Sequence, residues 1–334
     1  MIGMARLAIA GLVAIMAMGT ARAEDVLKAR IGVLRLSSSA PVFIAQDKGY
    51  FRDAGLEVEL KFFDAAQPIA VATTSGDVDF GVTAFTAGLY NLAGKGVLKV
   101  IGGMSREKPG YPLIGYFASN NAYAAGLKTP KDLAGKRVAV TQVGSSFHYS
   151  LGLLADKYGF KLADVKIVPL QSLSNAAAAL KGETVDAALL PISTARKLMD
   201  EGGAKFLGWV GDETPWQLGA VFAAPKTLAN KALVTKFLGV LAKADREYHD
   251  VILASMKDGV VPINERTKPL LEIIAKYTNL PVEQVVGNCA YVDPDGKLDV
   301  KNVDNQIKWL QEQGFADKGF DAEAIIAKEF VKAD

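Results

Sequence analysis

The sequence predicts an α/β protein of two lobes, each a mostly parallel sheet flanked by helices, joined by two crossover strands. Three observations predict it. Strand-like and helix-like segments alternate from Ala29 to Ile101. A turn-rich stretch with two prolines, 103–112, then breaks the rhythm, and a second alternating series follows from Leu113 to Ala224. The remaining stretch is almost purely helical in pattern. Alternation of this kind builds parallel sheets covered by helices on both faces.

The elements follow in order. Ala29–Leu36 reads as a strand, and Ser37-Ser38-Ser39 with Pro41 marks the start of a helix ended by Gly55. Leu56–Phe63 alternates as a strand. A helix over 68–75 stops at Gly76, and Val78–Val82, a helix over Thr86–Ala93 and a strand over Val97–Ile101 complete the first series. In the second, strands are expected at Leu113–Ala118, Arg137–Thr141, Val165–Pro169, Val185–Leu190 and Leu218–Ala224. Helices are expected at Phe147–Tyr158 and Asn175–Lys181. Helices then cover 230–258, 267–277, 281–286, 300–313 and 321–331. A helical tail needs a surface for its apolar stripes, and the first unit can supply one. The chain would then cross between lobes near 110 and 224. The lobes are expected at 24–110, 111–224 and, for the return of the first, 225–334. The cleft between two hinged lobes is a natural ligand site.

Residues 1–23 carry Arg6, an apolar run from Leu7 to Met18 and Ala21-Arg22-Ala23. That order fits an export signal cleaved after Ala23, against the alternative of a buried N-terminal helix. No cysteine follows the run, which argues against a lipid anchor. The chain has 334 residues with 38 basic and 36 acidic side chains, and loss of Arg6 and Arg22 with the leader leaves 36 of each. A neutral chain lacks the basic field that binds nucleic acid or anionic lipid. One cysteine, Cys289, excludes an internal disulfide and a cysteine-built zinc site, and two histidines offer little to any metal. No cofactor is expected. G-x-S-x-G and the P-loop pattern are absent.

Ligands of open parallel sheets sit beyond the carboxyl ends of the strands. Ser37, Ser38 and Ser39 lie there, as do Thr83, Phe85 and Thr86, then Gly144, Ser145, Ser146, Phe147 and His148, then Pro191, with Trp216 before the returning strand. Hydroxyls and free amides at helix starts suit an oxyanion. Each serine is equally a simple N-cap, and Phe85 and Trp216 equally core. His148, in the first turn of its helix, is expected neutral. Arg35 and Arg106 either pair with an acidic ligand or face solvent. Asp77 and Asp79 read as solvated turn residues.

The stretches APVFIAQDKGYFRDAGLEVEL, DVDFGVTAF, LKTPKDLAGKRVAV, VGSSFHYSLGLLADKYG and AAAALKGETVDAALL together resemble, in order and spacing, the periplasmic solute-binding proteins of ABC importers. The group in question takes sulfonates, taurine, nitrate and thiamine-type pyrimidines. The resemblance covers nearly the whole chain after residue 23. It implies the type II periplasmic-binding fold, a hinged trap for one small solute, and delivery to a membrane permease with its ATPase. It implies ligand contacts at Ser37–Ala40, Thr83–Thr86, Gly144–His148 and around Pro191. GSSFHY is most similar to the sulfonate-binding members. The expectation is therefore a periplasmic, monomeric receptor for a small anionic organic molecule, with Phe85, Phe147 and Trp216 against its body. A pyrimidine or nitrate receptor, a sensor and an exported enzyme on the same fold remain alternatives.

Overall fold

The structure, a computed structural model, describes residues 26–334, so the expected leader lies outside the described residues. The first sheet uses β1 (Leu27–Leu34), β2 (Leu56–Phe63), β3 (Phe80–Ala84) and β4 (Lys99–Gly103). A short strand β5 (Ser105–Glu107) leads out of it. The second sheet uses β6 (Ile114–Ala118), β7 (Arg137–Val140), β8 (Lys166–Pro169), β9 (Ala187–Pro191) and β10 (Lys205–Trp209). The chain returns through β11 (Trp216–Gln217) and β12 (Gly219–Ala223), and β13 (Tyr291–Val292) lies in the tail.

The strand orders are β2-β1-β3-β12-β4 and β10-β6-β9-β7-β8. Each sheet is parallel except around one strand beside a crossover: β12 runs antiparallel to β3 and β4, and β6 antiparallel to β9 and β10. Because β12 belongs to the first sheet, the second crossing lies at 216–218 rather than near 224. Nothing local in GAVFA distinguishes the two sheets, since any apolar run fits either. The crossovers also pair with each other: β5 lies between β11 and β13 in a three-stranded antiparallel ribbon.

Side chains alternate across β12. Val221 and Ala223 enter one core of the first lobe, and Ala220 and Phe222 the opposite one. In the second lobe Val138 and Val140 face one core and Ala139 the other. Both sheets are thus covered on both faces, as parallel sheets require.

The tail folds back on the first lobe. Along the helix Lys231–Val251, Val234, Phe237, Leu241, Ala244 and Tyr248 recur every three or four residues and are buried. Phe237 stacks on Phe80 at 3.9 Å and on Phe51 at 6.1 Å. Each of the larger side chains, Val234, Phe237 and Leu241, contributes about 1.5–3 kcal/mol by burial, enough to dock the helix firmly. Of the helix expected over 321–331 only Ala322–Ile325 forms; the chain beyond bridges Val100 through Ile326 and then turns at 328–330. The sequence reading also missed β10 and the helix Ile192–Asp200.

Candidate functional site

Between the lobes lies a cleft with about 560 Å³ of atom-free space, part of it open to solvent. Six expected residues line it: Ser38, Ser39, Thr83, Ser146, Phe147 and Pro191. All stand at the carboxyl ends of strands or the helix starts that follow. The cleft is also lined by Ala65 and Ala66 after β2, Thr141 after β7 and Leu173 after β8. The same carboxyl-end rule would have found these four. Leu34, Leu36, Ala84, Met104, Ser105, Leu113, Ile114 and Leu218 complete the wall, several of them in the crossovers, where no periodicity marks them.

No lining residue carries a formal charge. Twelve are apolar and six bear hydroxyls. Three of those hydroxyls, on Ser39, Thr83 and Ser105, are buried without a hydrogen-bond partner. A buried polar group left unpaired costs about 1–3 kcal/mol, and three facing one cleft mark a place built to receive a polar group. Four helices also begin at the wall: Ala40–Asp47, Ala66–Ser75, Ser146–Tyr158 and Leu173–Lys181. In Ser146–Tyr158 the Ser145 hydroxyl accepts from the His148 amide. The first amides, on Ser146 and Phe147, precede any intrahelical acceptor. Helix starts concentrate partial positive charge. The cleft therefore offers hydroxyls, amides and helix dipoles in an apolar shell, which suits an oxyanion carried on an apolar body.

The other expected residues stand elsewhere. Ser37 donates to Asn288 Oδ1 at 3.0 Å and braces the first loop. Phe85 stacks on Tyr90 in the core at 4.9 Å. Thr86 caps its helix by accepting from the Leu89 amide and donates to Gln67 Oε1. Trp216 packs edge-on against Tyr149 at 4.9 Å, with its indole N–H buried and unpartnered. Arg35 lies over the Phe62 ring at 3.6 Å and donates to the Tyr277 carbonyl. Arg106 pairs with Asp334 at 2.7 Å and donates to the Lys297 carbonyl. Both arginines are thus spent on the first lobe, away from the cleft. Asp79 is not merely solvated: it accepts from the Arg30 amide at 2.7 Å and ties two strands together. Cys289 is buried, and burial pushes its thiol up to about 12.

Gly144, Ser145 and His148 form a junction between lobes rather than cleft wall. The Ala87 amide, at the start of a first-lobe helix, donates to the Gly144 carbonyl at 2.8 Å. Gly144 has φ +75°, and a Cβ there would stand 2.7 Å from that of Ala87, so glycine is required twice over. His148 Nδ1 accepts from the Gly144 amide at 3.0 Å. Burial lowers the pKa of His148, so the ring is a neutral acceptor, as its place in the helix suggests. Across the junction Phe315 lies 4.9 Å from the His148 ring. Trp309, which packs on cores of both lobes, fills the notch left by Gly152, where a Cβ would lie 2.0 Å from the indole. The lobes are closed on one another at this rim.

Among the described residues no group of three or more His, Cys, Asp or Glu could hold a metal ion, and no helix is long and apolar enough to cross a membrane.

The fold recurs in solved structures. The alkanesulfonate-binding protein SsuA from Xanthomonas axonopodis pv. citri, bound to MOPS, superposes with a TM-score of 0.69 at 21% identity, covering 93% of this chain and 100% of that one. The aliphatic sulphonate-binding SsuA from Escherichia coli gives 0.68 at 19% identity over 91% and 98%. The nitrate-binding NrtA from Synechocystis PCC 6803 gives 0.68 at 15% identity over 91% and 86%. This is the two-lobed periplasmic-binding fold that the sequence predicts. In sequence, 150 residues are 31% identical to the taurine-binding periplasmic protein of Escherichia coli (strain K12), spanning 44% of this chain and 43% of that relative. The chain thus matches less than half of that relative's length. The family model described as "NMT1/THI5 like" matches residues 37–248, a span that takes in the cleft loops of both lobes, and the chain belongs to that family.

Proposed function

We propose that the protein is the periplasmic solute-binding component of an ABC importer, capturing a small organic anion in the interlobe cleft and delivering it, unchanged, to the permease and its ATPase. It acts as a monomer, exported by the leader at 1–23. The observation that carries this reading is the set of buried hydroxyls on Ser39, Thr83 and Ser105, unpartnered among the described residues, lining the same cleft as the helix start at Ser146 and Phe147. The first two hydroxyls belong to one lobe and the amides to the other. A sulfonate or carboxylate spanning them engages both lobes and so favours closure, because a ligand shifts a two-state equilibrium only by its differential contacts. The solved SsuA proteins and the taurine-binding relative bind solutes of this chemistry by their names.

The wall carries no carboxylate. A bound ammonium would therefore lose its hydration without gaining a partner. The ligand is an amine-free anion with an apolar body, and taurine binds more weakly than an alkanesulfonate of equal length. Calorimetry on protein stripped of carried-over ligand, with alkane- and arenesulfonates, carboxylates, nitrate, taurine and thiamine-type pyrimidines, tests this. A saturable response to at least one amine-free anion is expected. Silence across the panel, or chemical conversion of the ligand on long incubation, would refute the receptor reading.

A further inference from the structure

We propose that the first lobe carries a second site, between the end of β4 and the helix Lys231–Val251, for a small organic cation bearing a primary ammonium, with Asp245 as its counter-ion. A pocket of about 840 Å³ of atom-free space lies there. Its walls are the backbone of Gly102 and Gly103 at the end of β4, Leu238 and Ala242 from the helix Lys231–Val251, and Phe330 from the tail. Asp245 lines it from the same helix and is 8% exposed. Its carboxylate points at the opposite wall, where a Cβ on Gly296 would lie 3.4 Å from Oδ2.

Asp293, Asp295 and Arg246 are engaged with other groups, whereas Lys332 attracts Asp245 from the rim without bonding it. Asp295 pairs with Arg246 at 2.8 Å, and Asp293 accepts from the amides of Asp295 and Lys297. Glu329 and Lys332 stand exposed at the rim, and neither bonds Asp245. Among the described residues Asp245 has no hydrogen-bond or ion-pair partner. A buried carboxyl without a partner is costly, and a cationic partner is what removes the cost. The apolar walls suit a short alkyl chain behind the nitrogen. The cleft, uncharged and lined with donors, cannot take the same ligand. Burial, with the nearby Asp293 and against the weaker pull of Arg246 and Lys332, holds the carboxyl of Asp245 well above the usual range, so docking a cation ionises it and releases a proton.

Butylammonium is the probe, with tetramethylammonium as the cation that cannot donate a hydrogen bond. Calorimetry is expected to show saturable butylammonium binding that strengthens with pH, by up to tenfold per unit while one proton is released. Asp245→Asn should weaken it at least tenfold, and Leu238→Trp, which fills the pocket but leaves the acid, should do the same. Thr83→Val, in the cleft, should leave it unchanged, which separates failure here from failure of the receptor reading. No saturable binding, binding unaltered in both pocket variants, or tetramethylammonium as tight as butylammonium would overturn the proposal.

Discussion

Thr83→Val separates the cost of the waiting cleft from its benefit. Thr83 is the last residue but one of β3, 1% exposed and opposite Ala220, and its hydroxyl has no partner among the described residues. Valine keeps the shape and the β-branch and removes only the polar atom. In the ligand-free protein the change relieves a stranded hydroxyl, a gain of about 1 kcal/mol, or a rise of about 2 °C in melting temperature. In the complex it deletes a hydrogen bond to an anion, worth about 1.5–3 kcal/mol. Affinity should therefore fall roughly 10- to 150-fold. The two effects have opposite signs, which few substitutions in a packed strand produce. Differential scanning calorimetry without ligand and titration calorimetry with the tightest-binding anion read them separately. A lower melting temperature together with unchanged affinity would show that the hydroxyl is structural, and the reasoning from orphaned polar atoms would fail with it.

Ser146→Ala should weaken anion binding about tenfold and move the melting temperature by less than about 1 °C, since alanine is well tolerated in a helix; unchanged affinity would remove this helix start from the site. His148 has its pKa lowered by burial, so its neutral form is the one the fold holds. The stability this lends is full above the ordinary value of 6.5 and is lost as pH falls below it. A melting series from pH 8 to 5 should show that loss in wild type and a flatter profile in His148→Asn. Burial holds the Glu107 carboxyl well above its ordinary range, only partly offset by the amides of Gly211 and Ile114. An acid raised in this way favours folding below its unfolded value and loses that stability as pH rises. Glu107→Gln should therefore raise the melting temperature at pH 7 but not at pH 4. Gly152→Leu should eject Trp309 from its notch, open the lobes and weaken anion binding; small-angle scattering with the wild-type radius of gyration would contradict this.

The parts of the fold legible in the sequence are those set by local pattern. The strand–helix alternation and the stripe through Val234, Phe237 and Leu241 need only period and composition. The choice of sheet for β12 depends on partners far along the chain, and no local signal carries that. The cleft behaves similarly. Ser39, Thr83 and Ser146 were legible because a strand's end fixes where its loop emerges. Arg35, Arg106 and Trp216 were misplaced because their neighbours, Phe62, Asp334 and Tyr149, come from distant segments, and the direction of a side chain is decided by what it meets. Ser105 and Met104 escaped notice because a turn-rich stretch hides a strand three residues long.

A cleft wall without ions makes the proposed capture only weakly dependent on the medium around it. Binding through hydroxyls, amides and helix ends releases no condensed counter-ions from the wall, and within such an enclosure the screening cloud of dissolved salt, some 8 Å deep at physiological strength, reaches the contacts only weakly. Selection then rests on shape and on the direction of dipoles, both of which persist when brine or fresh water floods the surroundings.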